Sequence, residues 1–141
     1  MSQSSIFYPV FAQAMLTFVV AFIMGVKRIR SLKRGELKIR DIALKQPNWT
    51  EDVTKVSNNY HNQFEMPVLF FVVTIFSFMA QKSTGVFIGL AWAFVLSRIV
   101  HSYIHIGTNH VPTRANAFFV GVIILFVMWV ILGAQMIMAG L

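Results

Sequence analysis

The stretch Asn58-Asn59-Tyr60-His61-Asn62-Gln63-Phe64-Glu65 runs directly into Met66-Pro67-Val68-Leu69-Phe70-Phe71. Beyond Met66 the chain reads as membrane; up to Glu65 it reads as a polar helix. Asn58, His61, Asn62 and Glu65 recur at i, i+3, i+4, i+7, so on one continuous helix they project from the same side. A carboxylate in an apolar span costs roughly 2.5–3.5 kcal/mol at mid-membrane and less near the surface, so it normally faces protein or water and has a partner.

The rest of the chain supports a membrane setting. Of its 141 residues, 57% are hydrophobic and 12% charged, whereas a soluble domain is nearer half apolar and a quarter charged. The net charge is +7, but nine of the twelve Lys and Arg fall between Lys27 and Lys55. That clustering is the signature of a positive-inside loop. Nucleic-acid binding is disfavoured because no aromatic residue interleaves the basic run. Cysteine is absent, so any thiol has to arrive with a ligand.

The sequence predicts one all-α domain over 1–141, a transmembrane four-helix bundle with spans at about 6–26, 57–80, 85–105 and 114–139. The first span carries its positive charges after the apolar run, unlike a signal peptide, so it reads as an uncleaved helix with its N-terminus outside. The basic loop 27–55 then lies in the cytoplasm, where it orients the chain and meets anionic lipid headgroups. Pro47 closes that loop. Asn48 and Glu51 resemble a capping box, placing the start of the second helix near Thr50. Asn48-Trp49-Thr50 is a formal glycosylation sequon, idle on the cytoplasmic side. Pro67 is expected to kink the second helix and expose backbone acceptors beside the polar face. Gly85, Gly89 and Ala93 suit close helix contact in lipid, and Thr113 is placed to cap the fourth helix.

The third span has a polar face of its own: Arg98, His101, Ser102 and His105, again at i, i+3, i+4, i+7. At ~1.5 Å per residue, Glu65 and Arg98 lie about 22 and 20 Å from the outer ends of their helices. Antiparallel neighbours therefore bring them to one height, and their pairing is the expected partner for the carboxylate. Asn62, His61, His101, His105 and Arg114 gather toward the same mouth. Three readings of this cluster stand side by side. It is a polar knot holding helices together, a ligand site, or a metal site built on His101 and His105 with Glu65 or His110. Arg98 beside the histidines would repel a cation, so no metal ligand is assigned. Gln13 and Gln135 are single and read as interhelical hydrogen bonds.

Asn62-Gln63-Phe64-Glu65 followed by Met66-Pro67, with Arg98-Ile99-Val100-His101, His105-Ile106-Gly107, Pro112 and Arg114, resembles the MAPEG family, the membrane-associated proteins in eicosanoid and glutathione metabolism. The resemblance covers essentially the whole chain. It implies a bacterial-type, multi-pass inner-membrane protein that assembles as a homotrimer. Glutathione would sit between protomers near the cytoplasmic face, and lipophilic electrophiles would arrive from the membrane. On this resemblance Asn62, Glu65, Arg98, His101 and His61 fall in the glutathione-binding set. Arg114 looks like the arginine that stabilises the thiolate, with His105 assisting. A cation near sulfur favours the reactive thiolate, and arginine forks suit glutathione's carboxylates. The chain departs from the pattern in three places: His61 replaces a frequent arginine, His105 replaces a tyrosine, and the neutral set Asn58, Asn59 and Tyr60 replaces an arginine next to the second-helix motif. The function expected is a glutathione-dependent transferase or peroxidase. The alternatives are a non-catalytic membrane ligand-binding or scaffold protein with an inherited pocket, and a site for another small thiol or anion.

Overall fold

The computed structural model describes residues 2–42 and 49–140. Its order is a 3-10 turn (Gln3–Ile6), α1 (Phe7–Lys33), a second 3-10 turn (Ile39–Ile42), α2 (Glu51–Asn62), α3 (Met66–Met79), α4 (Gly85–Ile106) and α5 (Val111–Met138). Among the described residues, four helical segments are long and apolar enough to cross a membrane: 3–33, 51–79, 85–106 and 111–138. They form an all-α four-helix bundle in which α4 is the most enclosed.

The ends of these helices follow local chemistry. Thr84 accepts from the Phe87 amide at 3.3 Å and caps α4, satisfying one of the donors that every helix start leaves open. The turn before it is tied to the N-terminus, since Ser83 N donates to Gln3 Oε1 at 2.8 Å. α5 begins at Val111 rather than 114, with proline in its first turn, where a missing N–H costs nothing. Thr113 does not cap it; its hydroxyl pairs with His110 Nδ1 at 2.7 Å.

Two expectations are corrected here. The first helix does not stop near Val26 but continues to Lys33, so the leading part of the basic segment is helical. Arg28 fastens it by donating to Ser57 Oγ at 3.1 Å and stacking over Trp49 at 5.3 Å. The second span is broken rather than kinked. α2 ends at Asn62, Glu65 adopts φ −99°, ψ −101°, and α3 restarts with Pro67 in its first turn. Proline supplies no N–H to the carbonyl four residues back and crowds it, so the helix ends and begins again. Pro47 and Asn48, the acceptor of the sequon, lie outside the described residues. Thr50 is the N-cap residue of α2, without a side-chain capping bond.

The core is apolar and centred on α4: Phe87, Ile88, Ala91, Phe94 and Val95 pack with Phe70, Val73, Leu125, Met128 and Leu132. Phe70 and Phe94 stack at 4.6 Å. The small-residue stripe on α4 plays no part within the protomer, since Gly89 is exposed and has nothing near the position of a Cβ. The close approach occurs at Gly121 of α5, where a Cβ would meet Ser97 Oγ at 2.7 Å.

That contact yields a prediction. Gly121→Ala should lower stability in detergent by about 1–3 kcal/mol through overpacking. Gly133→Ala, which meets open space, should be near neutral. Ser97→Ala removes the clashing hydroxyl and leaves its Cβ at 3.7 Å, so the double variant should recover most of the loss in a thermal melt.

Candidate functional site

Two polar networks meet where the second span breaks. The first is fully enclosed. Gln13 Nε2 of α1 donates to Gln63 Oε1 at 3.0 Å, and Gln63 Nε2 donates to Ser102 Oγ at 3.1 Å. Ser102 donates in turn to Asn59 Oδ1 at 3.2 Å. All four side chains are buried, and they bind α1, α2 and α4 into one unit. Buried amides and hydroxyls of this kind are stable only when they satisfy one another. Gln13 thus has the interhelical role expected of it.

The second network uses the carbonyl freed at the break. Arg98, 1% exposed, donates from Nη2 to Asn62 O at 3.2 Å. Its Nε and Nη1 have no hydrogen-bond partner, and its guanidinium lies over the Phe118 ring at 5.5 Å. His101 Nδ1 is 3.1 Å from Arg114 O, and its Nε2 is 3.4 Å from Asn62 Nδ2. A carbonyl only accepts, so Nδ1 carries a proton, and Nε2 lies within reach of the Asn62 amide. The His105 ring follows 5.6 Å from that of His101, with a buried Nδ1 that lacks a partner.

The expected face on α4 is therefore present, with Arg98, His101, Ser102 and His105 all buried. The expected face on the second span is not. The buried side of α2 is Val53, Val56, Ser57 and Asn59, while Asn58, His61 and Glu65 are exposed and only Asn62 reaches the cluster. No ion pair within 4.0 Å joins Glu65 to Arg98 among the described residues, although the Glu65 charge lies near enough to act on the guanidinium; the hydrogen bond goes to the Asn62 carbonyl instead. Arg114 is half-buried; its backbone carbonyl holds His101, and its Nη1 donates to Asn109 Oδ1. Asn109 sits at φ 52° in the 107–110 loop.

Sequence reasoning left out Gln63, Asn59 and Phe118. Asn59 and Gln63 share the i, i+4 spacing that defined the other faces, and Phe118 lies one turn beyond Arg114; both signals were available. Among the described residues, no group of three or more His, Asp or Glu is placed to hold a metal ion.

The enclosed network generates a prediction. Gln63→Leu leaves Gln13 and Ser102 without their partner, and removing one side of a buried hydrogen bond costs about 1–3 kcal/mol. A lower melting temperature in detergent is expected, with the remaining helix content intact by circular dichroism. An unchanged melting temperature would mean that the network does not hold α1 to α4.

No curated protein and no solved structure matches the chain at a significant level. The model of the MAPEG family matches residues 6–134, which takes in all four spans and both polar networks. The chain, an integral multi-pass membrane protein, belongs to the MAPEG family.

Proposed function

We propose that the protein is a glutathione-dependent transferase or peroxidase acting on lipophilic electrophiles, with its site completed between copies of a homotrimer near the cytoplasmic face. The family comprises membrane glutathione transferases, peroxidases and eicosanoid enzymes. The observation that carries the reading is Arg98: a buried guanidinium with two nitrogens lacking partners. Unpaired donors on a buried cation are costly, and a carboxylate satisfies them in fork geometry. Glutathione offers two carboxylates and an amine.

In this reading Arg98 takes a carboxylate, Glu65 takes the amine, and Asn62, His61 and His101 complete the polar set. The exposed face of Asn58, His61 and Glu65 supports a second copy as the missing wall, since polar groups at this depth turn toward protein or water. Glutathione supplies a thiol whose thiolate is the reactive form. Arg114 provides the positive charge near sulfur, and the unpartnered His105 Nδ1 is available to hold a proton beside it. A groove of about 430 Å3, lined by Leu96, Ser97, Val100, Ala117 and Val120, runs between α4 and α5. It suits an apolar substrate entering from the bilayer.

One observation favours a second reading, a non-catalytic ligand-binding or scaffold protein. The Arg114 guanidinium is engaged by Asn109 in the loop. For thiolate chemistry a ligand has to draw it from that bond.

The two readings separate in one titration of purified, detergent-solubilised protein with glutathione, monitored by ultraviolet thiolate absorbance. The enzyme reading expects binding with a thiolate signal that Arg114→Ala abolishes and Asn109→Gly strengthens, because glycine keeps the left-handed backbone and releases the arginine. Glu65→Gln should weaken binding more than it lowers stability. Binding without thiolate, or no binding at millimolar glutathione, would favour the second reading.

A further inference from the structure

A second concentration of charge lies away from the Arg98 cluster. α1 spans about 40 Å at 1.5 Å per residue, longer than a ~30 Å hydrocarbon core, so its last turns emerge beyond the apolar run that ends at Val26. On those turns Lys27, Arg30, Ser31 and Arg34 stand at i, i+3, i+4, i+7, one face of the helix. Together with Glu36, Thr50, Asp52 and Val53 they line a notch of about 90 Å3.

The walls of the notch are fixed by hydrogen bonds. Gly35, at φ 70°, ends α1 in the left-handed conformation; its N–H donates to Leu32 O at 3.0 Å, and Glu36 N donates to Ser31 O at 3.2 Å. This is a Schellman turn, and it folds Glu36 back over Ser31. The opposite wall is the start of α2, twelve residues long, whose N-cap Thr50 makes no side-chain capping bond. The start of a helix carries a partial positive charge, offset here by the first-turn carboxylates Glu51 and Asp52. Inside, Ser31 is 3% exposed, and its hydroxyl has no partner.

The charges favour an anion. Three cations (Lys27, Arg30, Arg34) face two carboxylates (Glu36, Asp52), leaving one positive charge in surplus. The carboxylates neutralise their neighbours only loosely, with Lys27–Asp52 and Arg34–Glu36 each at 3.7 Å. Arg30 is exposed and has no acidic partner within 4.0 Å among the described residues. The volume admits a compact tetrahedral group and excludes a nucleoside or a peptide.

We propose that this notch binds a phosphate group, supplied by the headgroup of an anionic phospholipid. Arg30 and Arg34 give charge-assisted hydrogen bonds to its oxygens, and Ser31 donates its unpartnered hydroxyl. The notch lies one turn beyond the apolar run of α1, at headgroup height. The site is separate from the Arg98 cluster and does not depend on the glutathione reading.

The test is native mass spectrometry of the full-length protein released from nonionic detergent, with phosphatidylglycerol, phosphatidylcholine or inorganic phosphate added. The expected result has three parts. Phosphatidylglycerol adducts exceed phosphatidylcholine adducts. Arg30→Gln reduces them about ten-fold, and Ser31→Val reduces them as well. Lys33→Gln, an equal charge loss at a residue that does not line the notch, leaves them nearly unchanged. Arg30 and Lys33 are both exposed, so unchanged melting temperatures for their variants separate a binding defect from misfolding. Equal losses from Arg30→Gln and Lys33→Gln would overturn the notch in favour of diffuse attraction to the membrane. Binding of inorganic phosphate that Arg30→Gln abolishes, without any lipid preference, would overturn the lipid source.

Discussion

The structure depends on how a broken span satisfies its backbone. In hydrocarbon every exposed N–H and C=O needs an internal partner, because no water is present to supply one. Pro67 stands in the first turn after the break between α2 and α3, and at that break the Asn62 carbonyl is left without a helical partner. Arg98 takes the Asn62 carbonyl, and the Asn62 side chain meets His101. Break and cation are complementary: the guanidinium satisfies the break, and the break lets a buried guanidinium make a hydrogen bond it would lack against a continuous helix.

Around that point the molecule divides its polar residues by task. Gln13, Asn59, Gln63 and Ser102 form an enclosed network that fixes α1, α2 and α4. Arg98, His101 and His105 keep capacity in reserve, with unpartnered nitrogens on Arg98 and His105. The first network also leaves Gln13 Oε1 and Asn59 Nδ2 without partners; what sets the second apart is that its open donors belong to a buried cation, where they are most costly. The small-residue contact of Gly121 with Ser97 brings α5 close enough to set Phe118 against Arg98.

Much of the fold was legible in the sequence. Hydrophobic run lengths gave four spans, and the i, i+3, i+4, i+7 spacing identified the α4 face correctly, because α4 is unbroken from Gly85 to Ile106. The same arithmetic misplaced Glu65. A helical face extrapolates only along a continuous helix, and Glu65 lies beyond the break, at a non-helical φ,ψ. Asn58 and His61 share α2 with Asn62 but face outward, because Val53 and Val56 decide which side of α2 is buried, and that choice rests on tertiary packing. The helical tail of α1 was hidden by its charge: a basic run reads as loop, yet Arg28 with Ser57 and Trp49 anchors it to α2.

The central claim is that Arg98 is held in readiness for a carboxylate. The most direct measurement compares the affinity of the solubilised protein for glutathione with that for its diethyl ester, in the wild type and in Arg98→Gln. Loss of charge-assisted hydrogen bonds worth about 1.5–3 kcal/mol corresponds to roughly ten- to a hundred-fold weaker binding of the ester. Arg98→Gln should erase that difference by weakening glutathione alone. Equal affinities for the two ligands in the wild type would contradict the account and leave Arg98 as a structural clasp on the broken helix.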